Sequence, residues 1–290
     1  MTPAPGTPDT TAPPPARRHP TASRGPTRTR TRRNRTPTRT WTRTRRGLQG
    51  VAAFLLLAEL ASRTGLVDRA VLPPVSSVLT EAGRLAGDAA FGTDLRATVT
   101  AWLLGLAEAV ALAVPLGLLL GSLPRLDAVV RPVLEFLRPI PAVAIIPLAM
   151  LVLPDPLDLK TTIVVYASCW PVLINTVYGL REVDPVARES LASFGFGPLA
   201  VLLRVSLPST APFIAAGVRV SAGIALIATV SAELFASGSA GLGTFINTAG
   251  SSARTTPMLA AALWAGVLGL LGNGVLAALE RRLFRWRTPR

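Results

Sequence analysis

The chain of 290 residues carries 30 basic and 16 acidic side chains, a formal net charge of +14, and half of its residues are hydrophobic. With a mean hydropathy of +0.45 it is too apolar for an ordinary soluble domain. The only His, His19, lies in the N-terminal tail, which excludes a Ser-His-Asp triad and a paired zinc-binding histidine motif in the body, and the only Cys, Cys169, excludes an intrachain disulfide and a cysteine-rich metal cage. The only Lys, Lys160, follows Asp155-Pro156-Leu157-Asp158-Leu159, with no glycine to bring backbone N–H groups against a phosphate. The chain therefore is not expected to hydrolyse ATP through a P-loop of its own, and no metal or cofactor site is expected in it.

The charge is concentrated at the N-terminal end. Residues 1–46 hold twelve Arg, thirteen Thr and nine Pro against a single acid, Asp9, for a net +11; residues 47–290 are close to neutral at +3. A segment of that composition buries too little apolar surface to offset its ordering entropy, so 1–46 is expected to be a disordered tail, read first as a solvated extension that reinforces topology and second as a segment drawn to anionic lipid headgroups or nucleic acid. Thr44-Arg45-Arg46 before an apolar run looks like a twin-arginine export signal, but a removable signal is not followed by further membrane spans.

Residues 47–290 read as one all-α transmembrane domain. A helix crossing the hydrocarbon core needs about 20 mostly apolar residues. Six stretches meet or approach that length: 47–67, 95–123, 126–153, 159–180, 212–236 and 257–284. Glu59 and Arg63 interrupt the first, and Glu108 sits near the middle of the second, where an acid must be paired, hydrated or at a subunit contact. The third contains Pro132, Pro139, Pro141 and Pro147, which predicts a kinked or broken span inside a bundle. Arginines collect in the tail, around Arg125, Arg131 and Arg138, around Arg181, Arg188 and Arg204, and at the C-terminal end, all on one side if spans alternate. The excess of basic residues marks the cytoplasmic side, so both termini are expected there.

Between the fourth and fifth stretches lies 184–208. Asp184 before Pro185 is a helix N-cap with proline at the first helical position, and Gly195 ends that helix. Pro198 starts a second short helix, which Pro208 is expected to close. Val186, Phe194, Leu199, Leu202 and Leu203 supply an apolar surface that packs partly on the bundle and partly into a groove of another protein.

These residues resemble the cytoplasmic signature of the inner-membrane permeases of binding-protein-dependent ABC transporters. That signature is E-A-A, three residues, G, nine residues, I or V, one residue, L-P. Glu189, Gly195, Val205, Leu207 and Pro208 stand at matching spacing, while Ser190 and Leu191 replace the two alanines. The resemblance covers about residues 48–286 and is nearest to the nitrate, sulfonate and taurine importer branch. It is carried also by Leu72-Pro73-Pro74-Val75-Ser76-Ser77-Val78-Leu79, Leu137-Arg138-Pro139-Ile140-Pro141, Ile174-Asn175-Thr176, Ala232-Glu233-Leu234 and Ser239-Ala240-Gly241-Leu242-Gly243.

The resemblance implies a type I importer permease in a bacterial inner membrane, forming a homodimer around the pathway. It implies a cytoplasmic ATPase subunit that binds the ATP and docks on 184–208, and an extracytoplasmic binding protein that delivers the substrate. No specific nucleic-acid partner is expected. Asn175 and Glu233 match family positions and read either as pathway lining or as interhelical packing. Gly238, Gly241 and Gly243 follow a helix rather than a strand and read as a turn, not a phosphate cradle. An ion- or proton-coupled secondary transporter is the competing class, motivated by Glu108 and the proline-broken third span.

Overall fold

The computed structural model describes residues 38–236 and 239–285, with side chains at 47 and from 49 onward. The chain divides into two units, residues 1–50 and 51–290. Expectations for residues 1–37 and for Gly238 fall outside the described residues. A helix, α1, runs Thr38–Arg63, so residues 38–46 of the segment read as a disordered tail are helical. Extending a helix that already exists costs far less than starting one, and Arg is a good helix former.

The remaining helices are α2 (Val75–Ala86), α3 (Ala89–Ser122), α4 (Pro124–Leu137), α5 (Ala142–Val152), α6 (Pro156–Arg181), α7 (Pro185–Ser193) and α8 (Pro198–Val201). A π turn at Leu202–Ser206 leads into α9 (Leu207–Phe235), then α10 (Leu242–Ser251) and α11 (Thr255–Leu283). Helix starts follow local chemistry. Asp88 accepts from the Ala90 N–H at 2.8 Å, and Asp155 accepts from Leu157 at 2.8 Å and Asp158 at 3.1 Å. Each satisfies donors that a helix leaves unpaired in its first turn.

Among the described residues, four segments are long and apolar enough to cross a membrane: Ala89–Ser122, Pro156–Arg181, Pro198–Phe235 and Thr255–Leu283. The third expected span is broken, as its prolines suggested. Pro124–Leu137 and Ala142–Val152 meet at 89°, and the pair counts as a fifth span if taken together. The first expected stretch, 47–67, is helical only to Arg63; Glu59, Arg63 and the arginines before Gly47 leave too short an apolar run.

The centre of residues 51–290 is the trio α3, α6 and α9. Trp102, Leu106, Ile163, Val164, Ala222 and Leu226 form its buried cluster, joined by Ile146 from α5. Close approach depends on small residues, and polar groups bond across the helices. Trp102 Nε1 donates to Ala222 O at 2.9 Å, and Ser221 Oγ donates to Ser168 O at 2.6 Å. A second cluster joins α2, α10 and α11 to the start of α3, through Ala82, Leu85, Phe91, Leu242, Ala260 and Ala261.

One expected helix end is corrected. Pro208 does not close the second short helix: the chain continues from α8 through the π turn into α9. The Leu207 N–H bonds to Leu202 O, a five-residue step that widens the turn. The wide turn takes the proline at the start of α9, where its missing N–H costs little.

Candidate functional site

The 184–208 segment is a protruding turn of helix built by its own sequence. Asp184 caps α7 by accepting from the Val186 N–H at 2.9 Å, and Pro185 supplies a preset φ at the first position. The helix stops at Ser193, and Gly195 reverses the chain with φ +82°, a conformation costly for any residue with a Cβ. Phe196 then lies under the Arg204 guanidinium, 4.8 Å from the ring centre, which ties the turn to the π segment. Arg188 donates to Leu180 O and holds α7 against the end of α6.

Of the five residues singled out here, Glu189 is exposed on α7 and Gly195 makes the turn. Val205 is half-buried in the π turn, and Leu207 and Pro208 open α9. No residue of α7 or α8 is buried. Val186 is 66% exposed, Phe194 81%, Leu199 67% and Leu203 54%. A recess of about 530 Å³ runs beside them, with Arg188, Glu189, Ala192 and Phe196 on one side and Gly121, Ser122 and Pro124 on the other. The two short helices thus leave an apolar surface open beside this recess.

Glu233 and Asn175, the two residues open between pathway lining and packing, occupy different environments. Glu233 is 1% exposed. Its carboxylate accepts from Lys160 Nζ at 3.3 Å, from Thr98 Oγ1 at 2.9 Å and from the Gly243 N–H at 3.0 Å. Lys160 Nζ also donates to Ala240 O at 2.7 Å, and Asp94 accepts from the Gly241 N–H at 2.9 Å. The turn 239–243 is thereby fastened to α3, α6 and α9 at once. A Cβ on Gly241 would fall on the Glu233 carboxylate, and one on Gly243 on Val230 O, so both positions need glycine for close approach. Asn175 is half-buried and donates to Pro171 O on its own helix at 2.8 Å, beside Gly217 of α9.

Sequence reading did not find Lys160 as the partner of Glu233, because 73 residues separate them; the signal was a lone Lys beside an apolar stretch. It also missed a second ionic knot, in which Asp127 Oδ2 accepts from Arg131 at 2.7 Å and from Arg181 at 2.6 Å. Glu108 lies on the exposed face of α3, which removes a pairing role inside the bundle.

Residues 113–285 match the family described as binding-protein-dependent transport system inner membrane component. The chain belongs to that family. The permease is 30% identical over 226 residues to the taurine transport system permease protein TauC of Escherichia coli, covering 76% of this chain and 82% of that protein. It is 28% identical over 245 residues to the bicarbonate transport system permease protein CmpB of Synechocystis, covering 80% and 86%. In fold it is similar to an inward-facing structure of the MetNI methionine ABC transporter, with TM-score 0.58 and 16% identity, covering 65% of this chain and 94% of that chain. The permease is thus a multi-pass membrane component of a transport system, of the family whose signature 184–208 resembles and of the nitrate, sulfonate and taurine branch.

Proposed function

We propose that the permease forms the transmembrane pathway of an ATP-driven importer for a small oxyanion-bearing solute, a sulfonate, taurine, nitrate or bicarbonate. A separate cytoplasmic ATPase docks on 184–208 and an extracytoplasmic binding protein delivers the substrate. Two copies of the permease enclose the pathway, with both termini in the cytoplasm. The observation that carries this reading is the 184–208 surface: a capped helix, a positive-φ glycine and four large apolar side chains left open. The substrate class is supported by the relatives that transport taurine and bicarbonate.

ATP-driven closure of the ATPase pair would push α7 as a rigid body. Arg188 on Leu180 O passes that displacement to α6, and the helical continuity from α8 through the π turn passes it to α9. Because α6 and α9 are packed against each other, both shift together rather than deforming.

The test is co-purification in mild detergent of the intact permease beside a double variant, Glu189→Arg with Gly195→Pro. The expected result is an ABC ATPase subunit retained by the intact chain and lost from the variant, which keeps the same size-exclusion profile. An ATPase retained equally by both would overturn 184–208 as the docking site.

A further inference from the structure

The broken span has a joint, an arm and a latch. Pro139 and Pro141 lack the N–H that would carry helical bonding past Leu137, and α4 and α5 meet there at 89°. The usual helical donor to Leu137 O would be residue 141, a proline. That carbonyl accepts instead from the Ile140 N–H at 3.2 Å and from the Tyr166 hydroxyl of α6 at 2.7 Å. Tyr166 thereby pins the joint to α6.

Beyond the joint the arm, α4, is lightly held. Among the described residues of α4 only Asp127 is buried. Leu126, Val130 and Leu134 rest half-buried on Ala113 and Leu120 of α3 and Val172 and Leu173 of α6. Val129, Val133 and Phe136 stay exposed, and the side chains of α4 and α6 leave a gap of about 140 Å³ between them. Apolar contact between membrane helices carries no hydrophobic driving force. The directional attachments of α4 to α6 are polar and sit at its two ends.

The latch is at the end away from the joint. Asp127 Oδ2 accepts from Arg181, the last residue of α6, at 2.6 Å and from Arg131 of its own helix at 2.7 Å. Both bonds are charge-assisted, and Arg131 fixes the direction in which the carboxylate points. Latch and joint stand about 15 Å apart along α4 at 1.5 Å per residue. Arg181 is also next to the docking segment. Arg188 of α7 donates to the carbonyl of Leu180, the residue before Arg181, and the α7 cap, Asp184, follows shortly after. A displacement of α7 reaches the latch through one hydrogen bond and a short stretch of chain.

We propose that Asp127 and Arg181 are positioning residues for the ATPase-driven stroke: their ion pair makes α4 travel with the docking segment and the end of α6, where the joint would otherwise let it lag behind. The inference rests on the importer reading and deepens it by naming the contact through which motion of 184–208 enters the broken span. The movement passes to α6 and α9 by packing and by helical continuity, but to α4 by this pair.

The experiment uses the full-length permease with its ATPase in nanodiscs, in a Cys169→Ser background, with spin labels at Val129→Cys on α4 and Glu182→Cys at the end of α6. Labelled chains are diluted with unlabelled ones so that each complex carries one labelled copy. Distances are read without nucleotide and after vanadate trapping, and the trapped nucleotide is counted in each sample. The intact latch should give the same narrow distance in both states. Arg181→Gln should broaden the distribution and shift it by about 2 Å or more on trapping, the scale of helix displacements at interfaces. The charge swap Asp127→Arg with Arg181→Asp keeps one acid between two bases and should restore the narrow distance, which a variant that merely failed to fold would not do. A distance in Arg181→Gln as narrow and constant as in the intact permease would overturn the latch. So would a distance that changes on trapping with the latch intact. Loss of nucleotide trapping in Arg181→Gln would place the pair in docking itself and also overturn it. An intact permease that retains no ATPase would instead overturn the importer reading on which the latch rests.

Discussion

Lys160 at the start of α6 and Glu233 near the end of α9 form an ion pair of 3.3 Å, with 4% and 1% of their surfaces exposed. Neither charge is left to its partner alone. Thr98 and the Gly243 N–H complete the carboxylate, and Ala240 O takes a second ammonium proton. A buried pair repays its lost hydration only when the remaining hydrogen bonds are filled in this way.

Removing one member should therefore cost more than removing both. Lys160→Met strands a buried carboxylate and is expected to destabilise the permease by about 3 to 5 kcal/mol. Lys160→Met with Glu233→Leu should recover a large part of that loss. Thermal unfolding in detergent of the two single variants and the double gives the comparison; a double variant as unstable as the sum of the singles would contradict the pairing.

The close approach of the 239–243 turn predicts a steric effect at the same place. Gly243→Ala puts a methyl group against Val230 O and the Glu233 side chain, with an expected loss of about 1 to 3 kcal/mol for a forced shift in packed surroundings. Gly223→Ala, where a Cβ meets nothing within 4 Å, should be neutral or slightly stabilising. Equal unfolding temperatures for the two would count against the tight turn.

At the other end of the bundle, Asp184→Ala removes the side-chain cap of α7. The expected cost is about 0.5 to 2 kcal/mol, confined to a helix that buries nothing. Hydrogen exchange should quicken over 186–193 while α3, α6 and α9 keep their protection. Faster exchange throughout the bundle would mean that α7 is integral to the core.

The sidedness of the chain is read with single cysteines in a Cys169→Ser background. An impermeant maleimide should label Phe194→Cys from the cytoplasmic side alone and Leu157→Cys from the opposite side alone. Labelling of both from one side would reverse or abolish the alternation of spans drawn from the arginine distribution.

Local chemistry made much of this legible in the sequence. Four prolines announced the broken span, and Asp184-Pro185 with Gly195 announced a capped helix and its end. Pro208 misled, because a proline that opens a helix and one that closes it look alike until the hydrogen bonding of the preceding turn is known. The helices α2 and α10 carried no span-length apolar signal and took their place through contacts with Phe91 and α11. The Lys160–Glu233 and Asp127–Arg181 pairs join residues 73 and 54 positions apart. No local pattern encodes such distances, although a single Lys beside an apolar stretch and an acid inside one were their visible halves.

ATP-driven uptake of taurine into vesicles that hold the permease with its partner ATPase and a binding protein tests the importer reading most directly. Uptake should require ATP on the cytoplasmic face and fall to background when the ATPase carries an inactivated Walker B acid. Uptake that persists with the inactive ATPase and follows an imposed proton gradient would contradict ATP-driven import and make the exposed Glu108 the residue to examine.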